Sequence, residues 1–500
     1  MTNAAKFLAV LAAAAATLAG CMVGPNYRRP PAAAPTAFKE PPPPNWKSAT
    51  PRDEIPRGKW WEVFGDPQLN ALEEQVSVSN QSIAQAEAQF RAARAAAGVA
   101  RGGLFPTVTA GASATRSRSG ARATTLTSAA GGSGTSGSGT TATAPGSTTS
   151  IYQVPLDASY EVDVWGRVRR LIESSVATAQ ASAGDLETMR LSLQAELAVD
   201  YFELHGLDAQ QLLLSTTADA YQKALDLTSN RYKQGIASGV DVAQAQTQLE
   251  TTRAQAIDLG VQRTQLEHAV AVLTGKAPAD LTISQAPIVV QPPVVPVALP
   301  SELLERRPDI AANERRMAAA NAQIGVQVAA YYPTISLTAS GGFESTSLAN
   351  LFDWPSRFWS LGASAVETLF NGGARRAATE QARANYDAAV AAYRQSVLTA
   401  FQDVEDNLSA LRVLDAEATQ QQVAVNAAER SLALSNYRYQ GGITTYLEVI
   451  TAQAAALANE RTAVDILTRR MTAAVNLVKA LGGGWRESDL PAGSAILTRP

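Results

Sequence analysis

The sequence predicts a mainly α-helical chain with a small β part and an internal duplication. The helices are predicted because no proline occurs between Pro155 and Pro278, or between Pro355 and Pro491, so nothing there forces a helix to stop. Segments in which apolar and polar residues alternate predict the strands. The same order of helix and strand junctions occurs twice along the chain, which predicts the duplication.

The composition excludes several classes of protein. The 500 residues include 42 Lys and Arg against 45 Asp and Glu, so no attraction to nucleic acid is indicated. The single cysteine excludes an internal disulfide, and His205 and His268 are too far apart in sequence to suggest a metal site. The sequence shows no catalytic nucleophile paired with a general base and no phosphate-binding loop, so we expect no enzyme activity and no cofactor.

The start of the chain predicts secretion. Residues 1–20 have the short basic start and the apolar run of a signal peptide. The run ends in Leu-Ala-Gly-Cys, which resembles the lipobox of bacterial lipoproteins and implies cleavage before Cys21 and its acylation. An ordinary signal peptide with a chance cysteine is the alternative. Met22 follows where an aspartate often retains lipoproteins at the inner membrane, so the resemblance implies sorting to the outer membrane.

Two stretches, Arg167 to about Gln234 and Ala374 to Gln440, are predicted to be very long helices. Roughly 68 residues in one helix span about 100 Å. Their apolar residues recur at steps of three and four, which predicts one buried stripe on each helix. The stripes contain Leu186, Met189, Leu193, Leu197, Tyr201 and Leu204, and Tyr386, Val390, Tyr393, Val397, Phe401, Val404, Leu408 and Leu411. A wall of packed helices or an ordinary long coiled coil would explain both stripes.

The strand pattern is clearest from Ile151 to Val164, where every second residue is apolar. Weaker alternation follows Thr107 and Thr334. Transmembrane β-barrels require this pattern, although a soluble pair of hairpins with one face on a core is the alternative. Four strands cannot close a barrel, but three chains would give a closed wall of twelve strands. The long helices would then continue that wall as a hollow cylinder.

Matching junctions define the predicted repeats. Pro106 recurs as Pro333, and the run from Arg231 to Ile236 recurs from Arg438 to Ile443. The first copy carries extra residues. They are the Gly/Ser/Thr run at 129–150, whose composition predicts a flexible loop between two strands. Each repeat is predicted as helix, β-hairpin (104–164 and 333–370), long helix, tip hairpin and helix. The predicted organisation is a signal peptide 1–20, an extended strap 21–59, a first repeat 60–275, a connecting segment 276–307, a second repeat 308–482 and a tail 483–500.

After its signal, nearly the whole chain resembles the outer membrane factors of tripartite efflux systems, the TolC-like channel lipoproteins. The residues that carry the resemblance are Cys21 to Tyr27, Trp60 to Pro67, Leu303 to Ile310, Tyr332 to Ile335 and Ala480 to Trp485. The resemblance implies a TolC-like homotrimer with a twelve-stranded transmembrane β-barrel in the outer membrane lipid and a periplasmic α-barrel. It also implies a periplasmic adaptor protein and an inner-membrane RND-type pump as partners.

The same resemblance implies a gate at the periplasmic end, where the hairpins Gly235 to Val240 and Gly441 to Tyr446 converge. By position, Arg438 and Tyr439 match residues that tether neighbouring helices in the closed state, with Asp241 as the acidic partner. A solvated surface ion pair of little energetic weight is the alternative. Leu447 matches a constricting apolar ring. Thr451 occupies a position where relatives commonly place an acid, although Glu448 keeps an acid nearby.

These observations favour a passive, gated exit duct for small toxic solutes or drugs. One alternative is the outer-membrane conduit of a type I protein-secretion system. A second alternative is a lipid-anchored periplasmic coiled-coil scaffold with no pore, against which the alternating strands argue.

Overall fold

The computed structural model describes residues 22–31, 35, 37–40, 59–118, 148–288, 291–293 and 303–498. The helices are α1 (Pro67–Ser79), α2 (Gln81–Gly102), α3 (Arg167–Lys233), α4 (Gly239–Leu273), α5 (Leu303–Arg306), α6 (Pro308–Ala329), α7 (Ala374–Gln440), α8 (Tyr446–Ala480) and α9 (Gly493–Leu497). The strands are β1 (Thr107–Ala110), β2 (Ser113–Arg118), β3 (Thr148–Val162), β4 (Thr334–Ser345) and β5 (Arg357–Val366). The signal peptide and Cys21 lie outside the described residues.

The chain divides into two compact units. Unit 1 comprises residues 1–27, 97–174 and 321–384, and unit 2 comprises residues 28–96, 175–320 and 385–500. Across the described ranges, no helix combines the length and the apolar character needed to cross a membrane.

Unit 1 contains one antiparallel sheet in the order β1, β3, β4, β5, with β2 also paired to β3. β1 and β2 pair with β3 in a single register, so they are one strand interrupted at residues 111 and 112. The interruption lies opposite Pro155, which has no N–H to donate to the ladder. The sheet therefore has four strand positions, as the sequence predicts. β3 begins at Thr148, so the last residues of the predicted loop 129–150 belong to a strand.

The register sorts the side chains of the sheet onto two different faces. One face is apolar and contains Val154, Leu156, Ala158, Tyr160, Leu337, Ala339, Phe343, Trp359, Leu361 and Ala363. The other is mainly polar and contains Gln153, Asp157, Ser159, Glu161, Ser336, Thr338, Ser340, Glu344, Ser360 and Ser364. The apolar face is open in the single chain, since Trp359 is 79% and Leu361 76% exposed. The predicted alternation is confirmed, and a one-residue slip would exchange the two faces.

The long helices repeat in length as well as in sequence. α3 and α7 have 67 residues each, and α4 and α8 have 35 each. The bounds predicted for α7 are confirmed, and α3 ends at Lys233, one residue before the predicted end. Apolar periodicity in the sequence predicts a single helix from about Leu69 to about Ala100 at the start of the first repeat, but the structure breaks it at Asn80. The Asn80 side-chain oxygen accepts from the N–H groups of Ser82 and Ile83 and so begins α2 as its N-cap.

The main core of unit 2 gathers around the aromatic cluster Trp60, Trp61, Phe64 and Phe202. α8 contributes an apolar face near its end, and the predicted stripe of α3 contributes Leu197 and other buried residues. Met189 departs from the predicted stripe, since it is 41% exposed. Burial of such a cluster supplies most of the driving force for packing these helices together.

Two segments that lie outside the helices and the sheet are fixed to the helices of unit 2. Along α7, Glu405 accepts from the N–H groups of Lys39 and Glu40 at 2.6 and 2.9 Å. In the segment between the repeats, the carbonyl oxygen of Ile283 accepts at 2.7 Å from the buried Arg263 of α4. Arg263 also donates to Asp208 of α3 at 2.7 Å. Backbone groups outside helices and sheets need such side-chain acceptors and donors as partners.

Candidate functional site

The chain reverses direction at two hairpins with the same backbone geometry. Tip 1 (residues 234–238) joins α3 to α4, and tip 2 (residues 441–445) joins α7 to α8. Each has a glycine with positive φ, 75° at Gly235 and 73° at Gly442, where a side chain would introduce strain. The hydrogen bonds that close the helices correspond in the two tips. They are Ile236 N–H to Arg231 O, Gly235 N–H to Tyr232 O, Ile443 N–H to Arg438 O and Gly442 N–H to Tyr439 O, at 2.9 to 3.0 Å. Both tips are thus Schellman motifs.

The two tips begin their second helices differently. In tip 1, Asp241 and Ser238 form a capping box: the Asp241 N–H donates to the Ser238 hydroxyl, and the Ser238 N–H donates to the Asp241 carboxylate at 2.9 Å. In tip 2, the Thr445 side chain makes no cap hydrogen bond. The Asp241 carboxylate therefore has a local role in the single chain.

Arg231 connects the two hairpins. One of its terminal nitrogens donates at 2.9 Å to the carbonyl oxygen of Tyr439, at the end of α7. Its guanidinium also lies over the Tyr439 ring, 4.6 Å from the ring centroid. A cation near the last carbonyls of a helix is favourable because those oxygens carry the negative end of the helix dipole. The Tyr439 hydroxyl makes a weaker bond to Thr228 on α3 at 3.4 Å.

Next to the tips, Tyr439 of α7 packs in a small apolar cluster with Ala245 of α4 and with Tyr446 and Val449 of α8. The Tyr439 and Tyr446 rings lie 5.2 Å apart with tilted planes. Burial, followed by the charges of neighbouring groups, raises the pKa of Tyr446 to about 12. The phenol consequently stays neutral at physiological pH, and the cluster holds the tips by packing rather than by charge.

Arg438 has a different partner from the one expected. Its guanidinium lies 3.3 Å from a carboxylate oxygen of Glu448, and the other Glu448 oxygen accepts from the Thr444 hydroxyl. Within the single chain, Arg438 thus pairs with Glu448 while Asp241 caps α4. The Arg438 and Glu448 side chains are 54% and 39% exposed, so this ion pair contributes little to stability. The latch from Arg438 to Asp241 between neighbouring helices of the closed state stays a prediction.

Leu447 and Thr451 lie on an exposed face at the start of α8. Leu447 is 58% exposed, and the Thr451 hydroxyl donates back to the Leu447 carbonyl oxygen at 2.7 Å. Ile236 in tip 1, Ile443 in tip 2 and Val240 at the start of α4 are also exposed. In a single chain these apolar groups are open to solvent, as expected of residues that meet other molecules.

Sequence reasoning missed Arg231. The signal was present, because Arg231 occupies the same repeat position as Arg438, but only one copy was assigned a role. Of the other candidate residues, Cys21 falls outside the described residues. Among the residues that are described, no group of three or more His, Cys, Asp or Glu side chains could hold a metal ion.

Comparison with known proteins gives consistent matches. The family model described as outer membrane efflux protein matches residues 72–276 and 299–483. The chain is 33% identical over 485 residues to the toluene efflux pump outer membrane protein TtgC of Pseudomonas putida, covering 96% of each chain. It is 32% identical over 431 residues to the pyoverdine export outer membrane protein OpmQ of Pseudomonas aeruginosa, covering 86% of this chain and 88% of the relative. Among solved structures, the outer-membrane channel OprN matches with a TM-score of 0.80 and 30% identity, over 93% of this chain and 100% of OprN.

Proposed function

The chain belongs to the outer membrane efflux protein family, and on that premise we propose that it is a passive, gated exit duct for small toxic solutes. As a member of this family it is the outer-membrane channel component of a tripartite efflux pump, located in the outer membrane. The proposal adds the oligomer, the gate, the lipid anchor and the class of cargo.

The sheet of unit 1 supports a homotrimer. Its apolar face is open, and β1 and β5 are its two edges. Unpaired backbone groups at such edges cannot remain in hydrocarbon, so strands from other chains must complete the wall. Three copies of four strands would close a barrel of twelve, with the apolar face toward lipid and the polar face toward water. The long helices would continue this wall into the periplasm.

Equal helix lengths support the repeat organisation. We propose that residues 60–275 and 308–482 are two copies of one design, joined by the segment 276–307. Each copy then supplies one tip hairpin, so a trimer would have six tips converging at the periplasmic end of the tube.

Those tips would form the gate. Arg231 fastens tip 1 to tip 2 within one chain, and the predicted latch between Arg438 and Asp241 would fasten neighbouring chains. Leu447, exposed in the single chain, would supply the apolar constriction, with Glu448 as a nearby acid and Thr451 leaving the next turn uncharged. Charge-assisted bonds of this kind favour a closed state modestly, so docking of another protein can replace them.

The partners and the cargo follow from the family rather than from a site in this chain. A passive tube supplies no energy, so transport would be driven by an RND-type inner-membrane pump that connects through a periplasmic adaptor protein. The relatives TtgC and OpmQ are named for toluene and for pyoverdine, which are both small molecules, and this favours small solutes over protein as cargo. We further propose that acylated Cys21 anchors the N-terminus in the outer membrane.

The decisive experiment is reconstitution of the purified chain. Native mass spectrometry of the acylated protein in detergent should give three chains per particle, and a planar lipid bilayer should show stepwise conductance. A monomer in detergent, or a bilayer that stays non-conducting after insertion, would contradict the proposed duct and support a scaffold without a pore.

A further inference from the structure

The first described residues of the chain are held against the rest of unit 1 by several hydrogen bonds from buried side chains. The carbonyl oxygens of Val23 and Gly24 and the side-chain oxygen of Asn26 all accept from Arg170, at 3.0 to 3.3 Å. The carbonyl oxygen of Pro25 accepts from the Asn321 amide at 3.0 Å.

Arg170 is built for this contact. It is only 1% exposed, although it carries a charge, and its remaining terminal nitrogen donates to Glu173 at 2.7 Å. A buried guanidinium is tolerated only where its N–H groups find acceptors. The segment 22–26 supplies three of the four acceptors, so the burial of Arg170 and the position of this segment depend on each other.

Two glycines make the close approach possible. Gly24 has φ of 91°, and a Cβ at this position would overlap the Cα of Gly325. A Cβ on Gly325 would in turn come within 2.9 Å of the Arg170 side chain. A larger residue at Gly24 would therefore push the segment 22–26 away from Gly325, and one at Gly325 would displace the Arg170 side chain.

The segment 22–26 lies at the end of the sheet where β3 is followed by α3. The Val23 N–H donates to the Trp165 carbonyl oxygen at 3.1 Å, and Met22 packs directly on Gly166. The Trp165 ring stacks on Tyr332, with the centroids 4.7 Å apart. Exposed Phe105, Leu369 and Phe370 lie beside the other strand ends. Apolar and aromatic residues at strand ends are typical of the level at which a barrel meets lipid headgroups.

We propose that Arg170 is the positioning residue of an N-terminal clip, made of residues 22–26, that fixes the acylated end of the chain beside the Trp165 and Tyr332 pair. The inference rests on the proposed function, because it takes Cys21 to be acylated. In the sequence Cys21 directly precedes Met22, the first residue of the clip. A clip that holds residues 22–26 at the strand ends would therefore keep acyl chains on the preceding residue near that level, without help from the lipid.

The test measures how fast trypsin cuts after Arg28, which follows the clip, in the assembled full-length protein. A protease binds several residues on each side of the bond it cuts, so cleavage requires Pro25 and Asn26 to leave the clip and Arg29 to leave Tyr393 and Glu487, to which it donates at 3.2 Å. The Arg29 contacts are the same in every variant compared, so differences in rate follow the population of the open clip. Arg170→Ala and Gly24→Ala should each raise this rate by at least about fivefold, since several bonds to one charged group are lost. The matched controls are Arg167→Ala, a half-exposed arginine one turn earlier on α3, and Gly65→Ala, a glycine of φ 66° with open space around it. Both controls should cleave at the wild-type rate.

A second arm separates the clip from the membrane anchor. A Cys21→Ser chain, exported with a cleavable signal peptide and not acylated, should keep the slow cleavage after Arg28, and adding Arg170→Ala to it should abolish the protection. If Cys21→Ser alone is cut as fast as Arg170→Ala, or if Arg170→Ala and Gly24→Ala are cut no faster than their controls, the clip is refuted. Conductance and native mass of the same preparations report the proposed function separately, because they do not depend on this cleavage.

Discussion

The guanidinium of Arg231 lies 4.6 Å from the ring centroid of Tyr439 and donates at 2.9 Å to the carbonyl oxygen of the same residue. The two residues are 208 positions apart in sequence, and they belong to different hairpins. One side chain thus uses its charge twice, on a ring and on a helix end, to hold tip 1 against tip 2.

We expect Arg231→Ala to loosen the closed tips. The loss of a cation over an aromatic ring and of a charge-assisted hydrogen bond should destabilise this contact by about 2 kcal/mol, so single-channel conductance or open probability in a planar bilayer should rise severalfold. Arg253→Ala is the matched control, because Arg253 is an exposed arginine of α4 that pairs with Glu250 and Gln222. Equal conductance of the two variants would refute the role of Arg231.

The predicted latch can be separated from the ion pair seen in the single chain. Asp241→Ala or Arg438→Ala should raise conductance without preventing assembly if Arg438 reaches Asp241 of a neighbouring chain. If Arg438 instead acts through Glu448 of its own chain, Glu448→Gln should reproduce the effect of Arg438→Ala and Asp241→Asn should not. Bilayer conductance measured for the four variants checks this, and an unchanged value in both Asp241→Ala and Arg438→Ala would exclude the latch.

The two faces of the sheet predict opposite results for adjacent residues of β5. Leu361 lies on the apolar face and Ser360 on the polar face. A lysine facing lipid near mid-membrane costs about 2–4 kcal/mol per chain, so Leu361→Lys should strongly reduce the heat-resistant trimer seen on gels, while Ser360→Lys should leave it intact. Equal loss of trimer in the two variants would mean that the apolar face does not face lipid.

Stability should depend on pH through Asp200 of α3. Burial, followed by the charges of Glu196 and Glu203, raises the pKa of Asp200 from 3.8 to about 7. The folded chain therefore binds this proton more tightly than the unfolded chain, and stability falls as the pH rises from about 4 through about 7. Asp200→Asn should have a higher melting temperature than wild type at about pH 8 and the same one near pH 4.

Asp219→Asn, which changes an exposed aspartate on the same helix, is the control for Asp200 and should melt like wild type at both pH values. A melting temperature of Asp200→Asn that exceeds wild type equally at the two pH values would show that the proton on Asp200 has no part in stability.

The long helices and the alternating strands of this fold could be predicted from the sequence alone. The end of α7 at Gln440 was predictable because Gly441 and Gly442 follow a stretch without proline. The strands were predictable from strict alternation, as at Tyr152 to Val164. The break at Asn80 was missed because apolar periodicity runs through it, and only the cap of the Asn80 side chain shows that one helix ends and another begins.

Contacts between distant positions could not be predicted in the same way. Arg231 and Tyr439 are brought together by the packing of two hairpins, and no local pattern records their distance. The pairing of Arg438 with Glu448 was likewise hidden, since both Asp241 and Glu448 are acids at the start of a return helix. The sequence identified the type of group at the tips, but only the structure shows that Arg438 pairs with Glu448 while Asp241 caps α4.

The matched lengths of α3 with α7 and of α4 with α8 restrict which insertions this chain can tolerate. One residue added to α3 alone would displace tip 1 by about 1.5 Å and rotate it by about 100°. That rotation would turn Arg231 away from Tyr439. An insertion or deletion in α3 should therefore be tolerated only with an equal change in α7, and one in α4 only with an equal change in α8. The two halves of the gene must change length together.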